Sequence, residues 1–137
     1  MKYWLGVVSK DHVLKGVDGQ FAQVCHGKEG PLKRLKKGDW LVYYSPKQSM
    51  SGAGGLQELT AIGEVRDDCV FQYEMNEDFK PFRRMIDYVA NAKPLRIDAV
   101  KSKLDLTAAP NWGYQLRLGL LELSEADFKI IHAKITS

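Results

Sequence analysis

A chain of 137 residues with 45% hydrophobic and 27% charged side chains has the size of one domain and the composition of a folded globule, which excludes disordered and fibrous classes. Its net charge of +3 and pI near 8.8 are mildly basic, short of the balance of a dedicated nucleic-acid binder. Two distant cysteines, no signal-like segment before Tyr3 and no apolar run near the roughly 20 residues that span a bilayer predict a cytoplasmic protein without disulfides or a membrane partner.

Tyr3–Val8 is short, aromatic and β-branched and reads as a buried strand. Ser9 then caps a helix of one to two turns through Asp11–Leu14, ended by Gly16. Phe21–Cys25 reads as a second strand, closed by His26-Gly27-Lys28. A short basic helix follows, with Pro31 in its first turn and Gly38 after its last. Lys28, Lys33, Arg34, Lys36 and Lys37 crowd this stretch, either as a solvated face or as a site for phosphates. Trp40–Tyr44 is a nearly continuous apolar strand, and Ser45–Gln57 carries small, aperiodic residues that predict a mobile loop. Strands are expected at Leu59–Val65, Val70–Met75 and Phe82–Val89, with Phe71, Tyr73 and Met75 half-buried by alternation and Gly63 at a bulge or close backbone approach. Ile97–Leu104 reads as a short helix, Asn111–Tyr114 as a turn and Gln115–Glu122 as a strand. Ser124 caps a last helix whose Phe128, Ile131 and Ile135 share one packed face. No repeat or linker divides the chain, so residues 1–137 are read as one α+β domain with a strongly bent sheet or partly open barrel.

The motifs of common enzyme chemistry are missing. His12, His26 and His132 fit no zinc spacing, and the glycine-rich loop lacks the patterns that cradle phosphates. Cys25 and His26, as neighbours in a strand, would point to opposite faces and not form a nucleophile–base pair. Asp67-Asp68 and Glu122/Glu125 read as turn and cap residues. No catalytic residue, metal or cofactor is therefore expected.

An ordered set of short motifs runs nearly end to end. It comprises Trp4, Ser9-Lys10-Asp11-His12-Val13 with Gly16, Phe21-x-Gln23-x-x-His26-Gly27-Lys28, Pro31-Leu32 and Gly38-Asp39. Further on come Tyr44-Ser45-Pro46, Gly54-Gly55-Leu56-Gln57 with Thr60–Gly63, Pro81-Phe82-Arg83-Arg84, Trp112-Gly113, Leu116-Arg117-x-Gly119 and Asp127-Phe128. In that order the chain resembles the EVE-domain family, small stand-alone bacterial proteins of the PUA-like superfamily. Phe82 departs from the tryptophan expected in many relatives but stays aromatic. The resemblance implies a PUA-like pseudobarrel, a strongly bent mixed β-sheet with short flanking helices, related to YTH and ASCH domains. It also implies a module that recognises a modified nucleobase in DNA or RNA.

A pocket for a flipped base needs aromatic walls and polar groups that read the base edge. Trp4, Trp40, Tyr44, Tyr88 and Trp112 are candidate walls, each with core packing as its rival role. Ser9, His12, Gln23, His26, Ser45 (with its neighbour Pro46) and Arg117 are candidate readers, and Lys28, Arg83 and Arg84 candidate phosphate contacts. On this reading Trp112→Ala abolishes binding. Ser49–Gly55 is either a lid or a hairpin tip. Two rival readings remain: an amidohydrolase acting on a modified nucleoside, with Lys28 set near Glu64, or a module for a small molecule or protein.

Overall fold

Strand β1 (Tyr3–Val7) lies parallel to β3 (Trp40–Lys47), in register from Tyr3 opposite Trp40 to Val7 opposite Tyr44. Parallel neighbours need a long crossover. It is supplied here by helix α1 (Lys10–Gly19), the short strand β2 (Phe21–Ala22) and helix α2 (Glu29–Lys33). The remaining strands are β4 (Gly54–Gln72), β5 (Phe82–Tyr88), β6 (Leu95–Arg96) and β7 (Leu120–Leu123). They complete a curled mixed sheet in the order β2-β5-β4-β3-β1-β7, with β6 on β4. The computed structural model describes residues 1–52 and 54–137, the side chain of Asp68 excepted.

Alternation along the central strands buries both faces of the sheet, which is why Trp40–Tyr44 is apolar throughout. Leu5, Val42, Tyr44 and Ile62 feed one cluster, closed by the last helix, α5 (Glu125–Ile135). Trp4, Leu41, Tyr43 and Ala61 feed the other, under α1 and α2. Helix α5 follows the expected capping chemistry: the Ser124 hydroxyl accepts from the Asp127 amide at 3.0 Å, and Phe128, Ile131 and Ile135 are buried. The Asp127 carboxylate in turn accepts from the Asp105 and Leu106 amides at 2.7 and 2.9 Å, holding α3 (Asp105–Ala108) against α5. No described helix is long and apolar enough to cross a membrane.

Several elements differ from the sequence reading. The two strands expected at Leu59–Val65 and Val70–Met75 form one strand, β4, with a register shift between Val65 and Val70. Tyr73 and Met75 lie beyond it, each 48% exposed, so the alternation there does not mark burial. Ser45–Lys47 extends β3 and Gly54–Gln57 begins β4, which makes most of the expected loop a hairpin; Ala53, within the segment read as a lid or hairpin tip, lies outside the described residues. Helix α1 continues past Gly16 to Gly19 and is closed by Gln20, which takes a left-handed φ of 58°. Gly16 serves close packing instead: a Cβ there would lie 2.6 Å from the Phe21 carbonyl oxygen. Gly63 has the same role, a Cβ there meeting Ile86 Cγ2 at 2.5 Å. Gln115–Leu118 is helical, finishing α4 (Trp112–Gln115) and a 3₁₀ turn, and β7 begins only after Gly119 turns the chain at φ +76°.

A buried carboxylate ties the start of the sheet together. Asp39, 3% exposed, accepts from the Lys2 amide, the Trp4 indole Nε1 and the Lys36 amide, each at 3.0 Å. Burial alone would raise its carboxyl; these three donors, aided by the N-terminal ammonium, hold it below its ordinary value.

Candidate ligand-binding cleft

The chain leaves β2 into a feature that periodicity does not predict. Cys25, His26 and Gly27 take consecutive left-handed φ values of 50°, 60° and 83°, and the Gly27 amide donates back to the Val24 carbonyl at 3.0 Å. Residues with a Cβ avoid this conformation at about 1–2 kcal/mol each, so the turn is held by what surrounds it. On one side is Gly119, where a Cβ would lie 2.6 Å from Cys25 Sγ. On the other, Gly27 packs on Pro81, where a Cβ would approach to 2.5 Å. The turn and the Leu116–Gly119 turn thus touch each other and together line a cleft of about 760 Å³, within the range of small-ligand sites.

The apolar and aromatic part of the cleft lining holds Val24, Phe21, Tyr43, Met75 and Phe79. Tyr43 is fixed there by two hydrogen bonds of 3.1 Å with the Gln23 backbone, donating to its carbonyl and accepting from its amide. Among the described residues the lining holds five cations, Lys15, Lys28, Lys47, Arg83 and Arg117, and no carboxylate. None of the five pairs with a described carboxylate. Arg83 is the most constrained. Its guanidinium lies 3.8 Å from the Phe21 ring centroid and 4.0 Å from that of Tyr73, and its Nε donates to Gln23 Oε1 at 3.1 Å. Burial between the rings lowers its pKa, with Tyr73 opposing; a guanidinium so placed stays charged at neutral pH. Burial pushes the Cys25 thiol up, against the pull of Lys28 and Arg34, so this is not an activated thiolate.

Of the residues singled out in the sequence, Ser9, His12, Gln23, His26, Lys28, Pro46, Arg83 and Arg117 come together on this cleft. Ser9 sits at the N-terminus of α1, but its hydroxyl donates to Asp11 Oδ1 at 2.7 Å rather than capping an amide, and this bond is the first cause of a lowered Asp11 carboxyl. Tyr44, Ser45 and Trp112 are not brought there. Tyr44 is buried in the cluster under α5, Ser45 Oγ accepts from Thr60 Oγ1 at 2.6 Å in the interior, and Trp112 meets Tyr44 edge-on at 6.4 Å. The other proposed walls also belong to the core: Trp4 donates to Asp39, Trp40 packs on Phe128, and Tyr88 donates to the Phe21 carbonyl at 2.8 Å. Arg84, 2% exposed, donates to the Leu32 and Asp67 carbonyls. Cys25 and His26 lie in a left-handed turn, not in the strand that the sequence predicts for Cys25. Glu64 and Lys28 line different depressions, Glu64 one beside Asp39 and Lys28 the cleft. Sequence reasoning missed Lys15, Lys47, Met75 and Phe79. Lys15 lies one turn after His12 and Lys47 directly follows Tyr44-Ser45-Pro46, so both adjoin motifs that the sequence makes visible. Met75 and Phe79 are brought in by the arm beyond β4, which no local pattern signals. No group of three or more metal-binding side chains occurs among the described residues.

A curled mixed half-barrel sheet with short helices on both faces defines an EVE/PUA-like fold. The chain belongs to the EVE-domain family, whose model matches residues 2–134. A UPF0310 protein of Streptococcus mutans is 47% identical over 134 residues, covering 96% of this chain and 94% of that protein. UPF0310 protein YdcG of Bacillus subtilis is 45% identical over 130 residues, covering 94% and 88%. Among solved structures, a hypothetical protein from Leishmania major has a TM-score of 0.62 at 13% identity, covering 98% of this chain and 94% of that one. Human THYN1, solved in complex with DNA containing 5-methylcytosine, has a TM-score of 0.57 at 12% identity and covers 100% and 99%. At such identities these two structures speak to the fold.

Proposed function

We propose that the chain is a binding module without catalysis that takes one nucleobase of DNA or RNA, a modified base in preference, into the cleft. The observation that carries this reading is a lining that combines aromatic side chains with five cations and, among the described residues, no carboxylate. A flipped base needs an apolar slot with a few polar readers, and its flanking phosphates need unpaired cations. Gln23, His12, His26 and the free edge of Arg83 are the candidate readers, and Lys15, Lys28, Lys47 and Arg117 the candidate phosphate contacts. The mild net charge of +3 is no obstacle, because the positive groups concentrate at one opening. The DNA complex of the distant structural relative THYN1 points the same way.

The test is a fluorescence-anisotropy titration with short labelled DNA and RNA strands carrying plain or modified cytosine and adenine, at two salt concentrations. Binding is expected to favour one modified base and to weaken with salt. Lys28→Ala should weaken all strands alike, by about fivefold, and flatten the salt dependence by about one phosphate contact. Salt-insensitive binding of free nucleosides, with no response to any strand, would sink the proposal.

Trp112→Ala separates packing from contact. The ring lies on Tyr44, outside the cleft, with Lys101 over its face at 5.4 Å. Losing it should cost about 2–3 kcal/mol of stability through packing, while the folded fraction keeps its affinity. Loss of binding at temperatures where the variant is fully folded would return Trp112 to the site.

A further inference from the structure

We propose that the Tyr73 ring is a stacking platform for the nucleotide next to the base held in the cleft, an inference that rests on the nucleic-acid reading above. Beyond their ladder, β4 and β5 continue as an arm. The Tyr73 amide donates to the Pro81 carbonyl at 2.9 Å and the Met75 amide to the Phe79 carbonyl at 3.1 Å. Asn76 Oδ1 closes the tip by accepting from the Asp78 and Phe79 amides at 2.9 and 2.8 Å. Phe71 is opposite Arg83 in the ladder, so both side chains share one face of the arm, and alternation puts Tyr73 on it too. That face is aromatic and largely open: Phe71 is 37%, Tyr73 48% and Phe79 38% exposed.

The Arg83 guanidinium lies over two rings here, 3.8 Å from the Phe21 centroid and 4.0 Å from that of Tyr73. Phe21 and Arg83 line the cleft, and Tyr73 lies outside its lining. A base on Tyr73 would add one layer to this cluster, and aromatic rings accept any base this way because every base has a π-face. The backbone between the two nucleotides would pass Arg83, whose guanidinium makes no ion pair with a described carboxylate. Glu74 follows Tyr73 in the chain and by alternation leaves on the opposite face, away from that path. The partner this surface fits is therefore an unpaired nucleotide continuous with the one in the cleft.

The experiment uses short labelled single-stranded DNA with one central 5-methylcytosine, and a series in which each flanking nucleotide in turn is abasic. For the wild type, removing the base on one flank should weaken binding by about tenfold, with little effect on the other. In Tyr73→Ala that penalty should vanish, and in Tyr73→Phe it should remain. An equal flank penalty in wild type and Tyr73→Ala, or none in the wild type, overturns the platform and leaves the cleft reading standing. Uniform weakening of every strand by Tyr73→Ala also overturns it, since Tyr73 would then only support Arg83. Failure of the wild type to bind any single strand overturns both.

Discussion

Asp39→Ala is expected to lower the unfolding free energy by about 2–4 kcal/mol, because it strands the buried Trp4 indole and two part-buried amides at once. The Lys2 amide, the Trp4 indole and the Lys36 amide all converge on this carboxylate, two from the start of β1 and one from the approach to β3. Lys2 leads into β1, Trp4 lies within it, and Lys36 precedes β3, so the loss falls on the parallel pair at the centre of the sheet. Asp39→Asn should cost less, since the amide oxygen can still serve one or two donors while its NH₂ faces the rest. The folded carboxyl is held below its ordinary value of 3.8. A depressed carboxyl contributes stability that is fully present above the unfolded value and is lost as pH falls through the folded one. The gap between wild type and Asp39→Asn should therefore be constant near neutrality and close below pH about 4. Urea unfolding across that range measures it, with midpoint falling and slope unchanged. A neutral-pH loss below about 1 kcal/mol would mean that water replaces the carboxylate, which a group 3% exposed should not permit.

What the sequence made legible follows the range of the forces involved. The first strand, Trp40–Tyr44 and α5 were readable because their signals are local: apolar periodicity, and the Ser124 cap with its packed face. The short β2 was not, since Val24 and Cys25 satisfy strand propensity, yet the chain turns left-handed from Cys25 to Gly27, where it packs on Gly119 and Pro81, far away in the chain. The joined β4 was hidden for a related reason: Asp67-Asp68 looks like a turn, but the register shift between Val65 and Val70 lets pairing with β5 continue across it. The fold class was legible through the ordered motifs as a whole. Within the site, small and polar segments such as Ser9–His12, Gln23–Lys28 and Leu116–Gly119 pointed to one place because loops at strand ends gather there. The large aromatic residues pointed elsewhere. Trp4, Trp40 and Trp112 offer the most apolar area, and here the two sheet faces absorb them. The aromatic side chains left for the cleft are Phe21 and Phe79, with Tyr43 below them, and their placement depends on the arm and the turn rather than on local pattern.

Gly27→Ala tests that dependence directly. At φ +83° an alanine pays about 1–2 kcal/mol for its backbone alone. Its Cβ would also stand 2.5 Å from Pro81 Cβ and 2.9 Å from Pro81 Cα. Proline cannot rotate such atoms aside, so either the turn or the arm must move, and the total loss should reach about 3 kcal/mol. Phe79 lies 3.4 Å from the same point and would move with the arm, which opens the apolar lining of the cleft. Gly30→Ala, three residues on, is the matched control. It lies in α2 with no positive φ and, apart from its chain neighbours, nothing within 4 Å of its Cβ. The helical gain of an alanine is offset there by the crowding that Pro31 imposes on the residue before it, so stability should change by less than about 1 kcal/mol. Thermal unfolding should therefore separate the pair, with Gly27→Ala well below Gly30→Ala. Anisotropy below both transitions should show Gly30→Ala binding as the wild type does and Gly27→Ala binding at least tenfold more weakly, on the order of 1.4 kcal/mol. If folded Gly27→Ala keeps full affinity, the left-handed turn serves the fold alone and the ligand does not use the lining it supports.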